Sequence, residues 1–279
     1  MLGLHLQMNP LPQRRRPVAL LHGFPDGPES WTVVADQIRA GGHEVHCPPF
    51  PGYGERHLPW VWWGRGVEDA VCRRLPSADE GIHVVGHDWG GVFAWLMSDP
   101  DHDDSERYRY EVRSLSVISA PHPCRVQAHV AGPASNYARF LARRWVPELW
   151  LRFKGYAPLL APLRAAGMSE AALDAVLLRC SDKVRLREML GPYRERDFPK
   201  HWSGSPPWVP EIPTLLLRGE HDPYVSAEHM LPPSAGHSDL RVEMLPGIGH
   251  WPQLQAPEAL AAKLLSFWAK VDSAVQPDD

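Results

Sequence analysis

Short apolar runs alternate with amphipathic stretches over the first 120 residues. Val18-Ala19-Leu20-Leu21 is wholly apolar and is closed by His22-Gly23-Phe24-Pro25. A run of this length without polar alternation fits a strand buried on both faces of a parallel sheet. Trp31 to Arg39 follows with helical character and stops at Gly41-Gly42. Glu44 to Cys47 reads as a strand and Pro48 to Gly54 as a loop. A second buried strand covers 82–86, a helix runs from Trp89 to Met97, and Leu115 to Ser119 is the next strand. Asp99-Pro100 and the acidic stretch from Asp101 to Glu106 separate the last two. This alternation predicts a mostly parallel sheet covered by helices. From Cys124 to Trp208 the pattern changes. Tyr137 to Arg144, Ser169 to Arg179 and Asp182 to Leu190 read as helical, and no strand is evident. Strand character returns at Thr214 to Gly219 and Arg241 to Leu245, and a last helix runs from Pro257 to Ala269. The chain therefore divides into 1–123, 124–207 and 208–279, the middle portion being a helical insertion that reads as a lid.

The turn between strand 82–86 and its helix is the most informative segment. It reads Gly86-His87-Asp88-Trp89-Gly90-Gly91. Glycines let the backbone turn sharply and let neighbouring chain come close. A strand–turn–helix of this kind presents a nucleophile at its tip. A Ser or Cys there attacks an acyl carbonyl. Asp88 would instead attack a saturated carbon carrying a strained or good leaving group, giving an alkyl ester of the protein itself. Asp is also a common helix N-cap, so a plain capped turn is the alternative. Two further positions favour chemistry. His250, in Gly247-Ile248-Gly249-His250-Trp251-Pro252, follows a predicted strand and supplies a base that titrates near neutrality. Asp222, in Gly219-Glu220-His221-Asp222-Pro223, follows the strand 214–218 and can hold the imidazole tautomer. Its rival, Glu220, reads as a surface or loop-bonding group. The backbone N–H groups of Phe24 and Trp89 are expected to form an oxyanion hole. His22 is expected to organise its loop, and His22, Pro25, Trp89 and Trp251 to border the substrate.

Composition narrows the remaining classes. With 279 residues, 44% of them apolar, the chain can bury one sizeable core. Net charge is −4, and the one cationic run, Arg14-Arg15-Arg16, reads as a solvated approach to the first strand. Nucleic acid is therefore not an expected partner. Cys47, Cys72, Cys124 and Cys180 lack metal-type spacing and read as reduced, mostly buried thiols. Fifteen histidines include no HExxH, so neither metal nor cofactor is expected. No signal-like segment and no run of transmembrane length occurs, which reads as a cytoplasmic protein without a membrane partner. The excess of Arg over Lys, with abundant Ala and Pro, fits a GC-rich bacterial source. The sequence leaves monomer and homodimer open.

These motifs together resemble the epoxide hydrolases of the α/β-hydrolase fold. The likeness runs over nearly the whole chain: His22-Gly23-Phe24-Pro25, Gly86 to Gly91, Asp222 and His250, with helices between. It implies an α/β fold, a mostly parallel central sheet flanked by helices with an inserted helical cap. It implies opening of a small-molecule epoxide, which the chain's tryptophan content suggests is apolar or aromatic, to a vicinal diol through an ester on Asp88, cleaved by water that His250 activates. Members of that family carry two cap tyrosines that bind the epoxide oxygen. Tyr137, in Ser135-Asn136-Tyr137-Ala138-Arg139, and Tyr193, in Leu190-Gly191-Pro192-Tyr193-Arg194, match them, with Tyr156 an alternative to the first. A phenol is an acid that stays neutral at physiological pH. Pro28 departs from the family, whose members often carry an aromatic there. Haloalkane dehalogenases share the Asp, the acid, the His and the Trp. Their oxyanion loop usually has Asn after His-Gly, where this chain has Phe24. A fluoroacetate-type dehalogenase carries Arg where Trp89 stands. A catalytically silent binding protein of the same fold is a further alternative. Trp60, Trp62, Trp63, Trp145, Trp150, Trp202 and Trp208 are candidates for a wide aromatic pocket, although many tryptophans serve packing.

Overall fold

The computed structural model describes residues 15–54, 78–98, 110–126, 136–194, 211–232 and 239–274. Six strands form one sheet: β1 (Val18–Leu21), β2 (Val45–His46), β3 (Ala78–His87), β4 (Tyr110–Ile118), β5 (Thr214–Gly219) and β6 (Leu240–Leu245). Their spatial order is β2-β1-β3-β4-β5-β6, and every neighbouring pair is parallel. The register aligns the carboxyl ends. Leu21 pairs with Gly86, His87 with Ile118, Ile118 with Leu217, and Gly219 with Leu245. Loops leaving β1, β3, β5 and β6 therefore emerge along one edge. The order reverses between β1 and β3, and such a switch point opens a crevice at the strands' carboxyl ends.

Side chains alternate across the sheet, so each strand serves two cores. Val18, Leu20, Val85, Leu215 and Leu217 face α1 (Thr32–Ala40) and α11 (Pro257–Ala274), where Ile38, Leu264 and Trp268 are fully buried. Ala19, Leu21, Val84, Leu115 and Leu216 share the other core with α2 (Trp89–Met97), all of whose residues are buried. Such a helix holds its place by packing on every side rather than by an amphipathic face.

Between β4 and β5 the described residues are helical apart from short connections. They comprise α3 (Asn136–Leu141), α4 (Val146–Phe153), α5 (Ala157–Ala165), α6 (Glu170–Ser181), α7 (Lys183–Met189) and α8 (Gly191–Arg194). Besides the one-turn α8, two of these, α4 and α5, are absent from the sequence pattern. Both begin with proline in the first turn, Pro147 and Pro158, where the missing N–H costs nothing. Short helices α9 (Ala227–Met230) and α10 (Pro252–Gln255) follow the loops after β5 and β6.

Some local expectations change. Arg16 is not a solvated lead-in: it pairs with Asp272 of α11. Among the described cysteines Cys180 is buried, while Cys47 and Cys124 are half-buried. Cys72, Arg14 and the acidic stretch from Asp101 to Glu106 lie outside the described residues. No described helix is long and apolar enough to cross a membrane.

Candidate active site

The turn after β3 holds Asp88 in a conformation that L residues rarely adopt, φ 53° and ψ −123°. Strain of this kind persists only where the surroundings over-determine it. Here the surroundings are glycines. A Cβ on Gly86 would lie 2.2 Å from the carbonyl oxygen of Gly90, and one on Gly23 would lie 2.6 Å from Cβ of Asp88. The β1 loop can therefore close directly onto the turn. Asp88 occupies the N-cap position of α2 but makes no side-chain cap bond. Its Oδ1 accepts instead from the Phe24 N–H at 3.1 Å, and the Trp89 N–H also donates to the carboxylate.

His250 sits on the other side of that carboxylate. Its Nε2 is 3.6 Å from Asp88 Oδ2, and its Nδ1 is 3.0 Å from Asp222 Oδ2. The second oxygen of Asp222 accepts from the backbone N–H groups of Tyr224 (2.8 Å) and Val225 (3.1 Å), which fixes the acid. Glu220 points elsewhere and accepts from the Gly247 N–H. Burial opposes charge at all three triad positions, but their mutual pairing wins. The flanking carboxylates of Asp222 and Asp88 push His250 up to about 10. Against its own burial, Asp222 is held down at about 2 by the charge and hydrogen bond of His250 and by its two backbone donors. Asp88 is lowered against burial by the hydrogen bond and charge of His250, then by His87 and the Trp89 N–H. The resting triad is thus a carboxylate–imidazolium–carboxylate array.

Sequence reasoning missed a layer beneath the triad. His87 Nε2 meets the backbone carbonyl of His250 at 2.8 Å, and His87 Nδ1 meets Gln253 Nε2 at 3.1 Å. The carbonyl can only accept, so Nε2 carries the proton and Nδ1 accepts from the amide. Burial lowers His87 to about 4, in keeping with a neutral ring. Beside it, burial pushes Asp26 up to about 7 despite a 2.7 Å hydrogen bond from Ser30. One Asp26 oxygen and the Gln253 side-chain oxygen have no hydrogen-bond partner among the described residues. In the sequence, only their adjacency to the loop motifs marked these residues.

The site opens into a cavity of about 760 Å³, mouth included. Asp88, His250, Phe24, Pro25, Trp89 and Trp251 line its floor. Tyr137 from α3 and Tyr193 from α8 line it from the helical insertion. Burial, and then neighbouring groups that include Asp88, raise both phenols well above their ordinary value, so both stay protonated. The Trp89 indole N–H donates to the Tyr193 hydroxyl. Tyr224, two residues past Asp222, is a third tyrosine in the cavity, its ring edge-on to His250 at 4.8 Å. Tyr156 caps α5 and does not reach the lining.

Two expectations are corrected. His22 does not border the cavity: it is fully buried, its Nδ1 lying 2.9 Å from the Gly23 carbonyl oxygen and its Nε2 accepting from the Phe50 N–H. It organises the loop only. Trp145 and Trp150 do not line the cavity either; both are exposed. Trp60, Trp62, Trp63, Trp202 and Trp208 lie outside the described residues. No cluster of His, Cys, Asp or Glu among the described residues could hold a metal ion.

The profile of the Alpha/beta hydrolase family matches residues 18–263. Epoxide hydrolase 3 of Xenopus tropicalis is 27% identical, over 91% of this chain and 72% of that protein. Among solved structures, a mutant of an epoxide hydrolase from Bacillus megaterium superposes with a TM-score of 0.72 at 19% identity, covering 92% of this chain and 94% of that one. A haloalkane dehalogenase variant from Bradyrhizobium elkanii gives 0.71 at 19% identity, covering 95% and 93%. At such identities the structural likeness speaks to fold alone.

Proposed function

The chain belongs to the alpha/beta hydrolase family, and within it we propose an epoxide hydrolase that works through an ester on Asp88. The observation that carries this reading is the split environment of the Asp88 carboxylate. One oxygen, Oδ1, accepts from the Phe24 N–H, and the Trp89 N–H also donates to the carboxylate. The other faces His250, and the cavity they share is lined by two protonated phenols, Tyr137 and Tyr193. In the first step Oδ2 bonds to an epoxide carbon, the carbon–oxygen bond of the ring breaks, and a tyrosine hydroxyl protonates the departing oxygen. The enzyme is now an alkyl ester and Asp88 carries no charge. The imidazolium of His250 gives up its proton to the tyrosinate, directly or through solvent, and the neutral ring, held by Asp222, then takes a proton from water, whose oxygen attacks the ester carbonyl. The charge that develops on Oδ1 remains at the Phe24 and Trp89 N–H groups. Collapse releases the diol and regenerates the carboxylate.

The dehalogenase alternative is weaker. Phe24 offers no side-chain donor for halide, and the Trp89 indole N–H is already directed at Tyr193. The relatives' names agree with the epoxide reading.

A single turnover in oxygen-18 water, with enzyme in excess over an aryl epoxide, tests the proposal. The ester route places the label in the Asp88 carboxylate and leaves the first diol unlabelled. A first diol that carries the label would mean direct attack by water on the epoxide, and Asp88 would lose its role as nucleophile.

A further inference from the structure

Helix α4 buries Pro147 and Leu151, yet its opposite side is apolar as well. Val146, Leu149, Trp150 and Phe153 recur at spacings of three, four and seven, the stripe that normally faces a core. Here the stripe faces solvent. Phe153 is 83% exposed, Leu149 69%, and Trp145, which precedes the helix, 66%. Single exposed apolar residues are ordinary, but a contiguous aromatic stripe marks an interaction surface.

The charges around the stripe identify what it fits. From Arg143 to Lys154 the chain carries four cations, Arg143, Arg144, Arg152 and Lys154, all exposed, and one acid. That acid, Glu148, is occupied by Arg194 at 2.8 Å. Arg187 of α7 lies over the Trp145 ring at 5.7 Å and extends the cationic rim. The patch is therefore positive on a chain whose net charge is −4. A second copy docking on it would bring like charges together. A short amphipathic helix with Trp, Leu and Phe flanked by arginines matches an interfacial, membrane-surface helix.

We propose that the outer face of α4 docks on an anionic lipid surface. It would do so peripherally, inserting Leu149 and Phe153 while the arginines meet phosphate headgroups. The patch is linked to the cavity. Arg194 follows Tyr193 directly and binds Glu148 of α4, the Leu141 carbonyl at the end of α3 and the Arg143 carbonyl in the loop between them. Pro158, at the start of the next helix, lines the cavity. Apolar substrates that partition into lipid would then be met at the surface where they accumulate. The docking itself is independent of the reaction proposed above.

Sedimentation of the full chain with vesicles tests this. We expect binding to vesicles of mixed phosphatidylglycerol and phosphatidylcholine, weakening as salt rises, and far less binding to phosphatidylcholine alone. The double variant Leu149→Ser/Phe153→Ser should lose roughly ten-fold or more in partitioning, with its thermal unfolding midpoint unchanged. Arg143→Gln and Arg144→Gln should each cost about five-fold. No binding at low salt would overturn the proposal, as would equal binding by the double variant. So would a dimer in sedimentation velocity that the double variant abolishes, since that would assign the face to a second copy.

Discussion

His250 is asked to be two things in sequence. In the resting state it lies between the carboxylates of Asp88 and Asp222, which push it up to about 10. As an imidazolium it keeps Asp88 ionised and ready to attack. Once Asp88 is an ester, the part of that upward push which comes from Asp88 disappears, so the imidazolium can release its proton and the neutral ring can then accept one from water. The chemistry of the first step therefore prepares the base for the second. Rapid-mixing kinetics of the isolated second step should show the rate rising with pH through a value below 10, the value of the free enzyme. Replacing Asp222 by Asn should shift that profile lower again. A profile that stays at the free-enzyme value after esterification would break the coupling between the two steps.

The elements matter because four separate loops must converge on a space a few ångströms across. The parallel register delivers them to one edge, and the layer beneath fixes the last of them. Gln253 at the start of α10 sets the His87 tautomer, and His87 holds the His250 carbonyl. Gln253→Leu should therefore lower kcat about ten-fold by loosening the base, with KM little changed, and should destabilise the fold by about 1–3 kcal/mol. Steady-state kinetics and thermal unfolding check the two effects; a variant that loses stability but keeps kcat would make Gln253 a packing residue only. None of this layer was legible in the sequence. Asp26, His87 and Gln253 are distant along the chain, and nothing in their spacing signals contact. The sheet was legible because strands buried on both faces leave continuous apolar runs, as at Val18 to Leu21 and Thr214 to Leu217. The candidate triad was legible because each member stands in the glycine-containing loop or turn that follows a predicted strand. Helices α4 and α5 were not, since Pro147 and Pro158 read as breakers and the exposed apolar face of α4 blurs its period. The ordinary link between apolar residues and the cavity also failed for Trp145 and Trp150, whose side chains face solvent.

The whole molecule balances buried ionisable groups of opposite tendency. His250 lies above its ordinary 6.5 at about 10, so its stabilising contribution is complete below pH 6.5 and is lost as pH rises through 10. Asp26 lies above its ordinary 3.8 at about 7, so its contribution is present below 3.8 and is lost as pH rises through 7. His22 and His87 are lowered by burial to about 3 and about 4; theirs is present above 6.5 and is lost as pH falls toward those values. The thermal midpoint should therefore peak near neutrality and fall on both sides. Asp26→Asn should be relatively more stable than the parent at pH 9 than at pH 5, because it removes a buried carboxyl that must ionise. A difference in midpoint that does not change with pH would mean that Asp26 is already ionised in the fold. The central claim, that Asp88 is a nucleophile toward epoxide carbon, is tested most directly by trapping its ester. His250→Gln should still form that ester but not cleave it. Mixed with a panel of epoxides and haloalkanes, the variant should gain the mass of one whole epoxide, located on Asp88 by peptide mapping. A gain of an alkyl group alone, with halide released, would move the protein to dehalogenation, and no adduct with any of them would contradict the account.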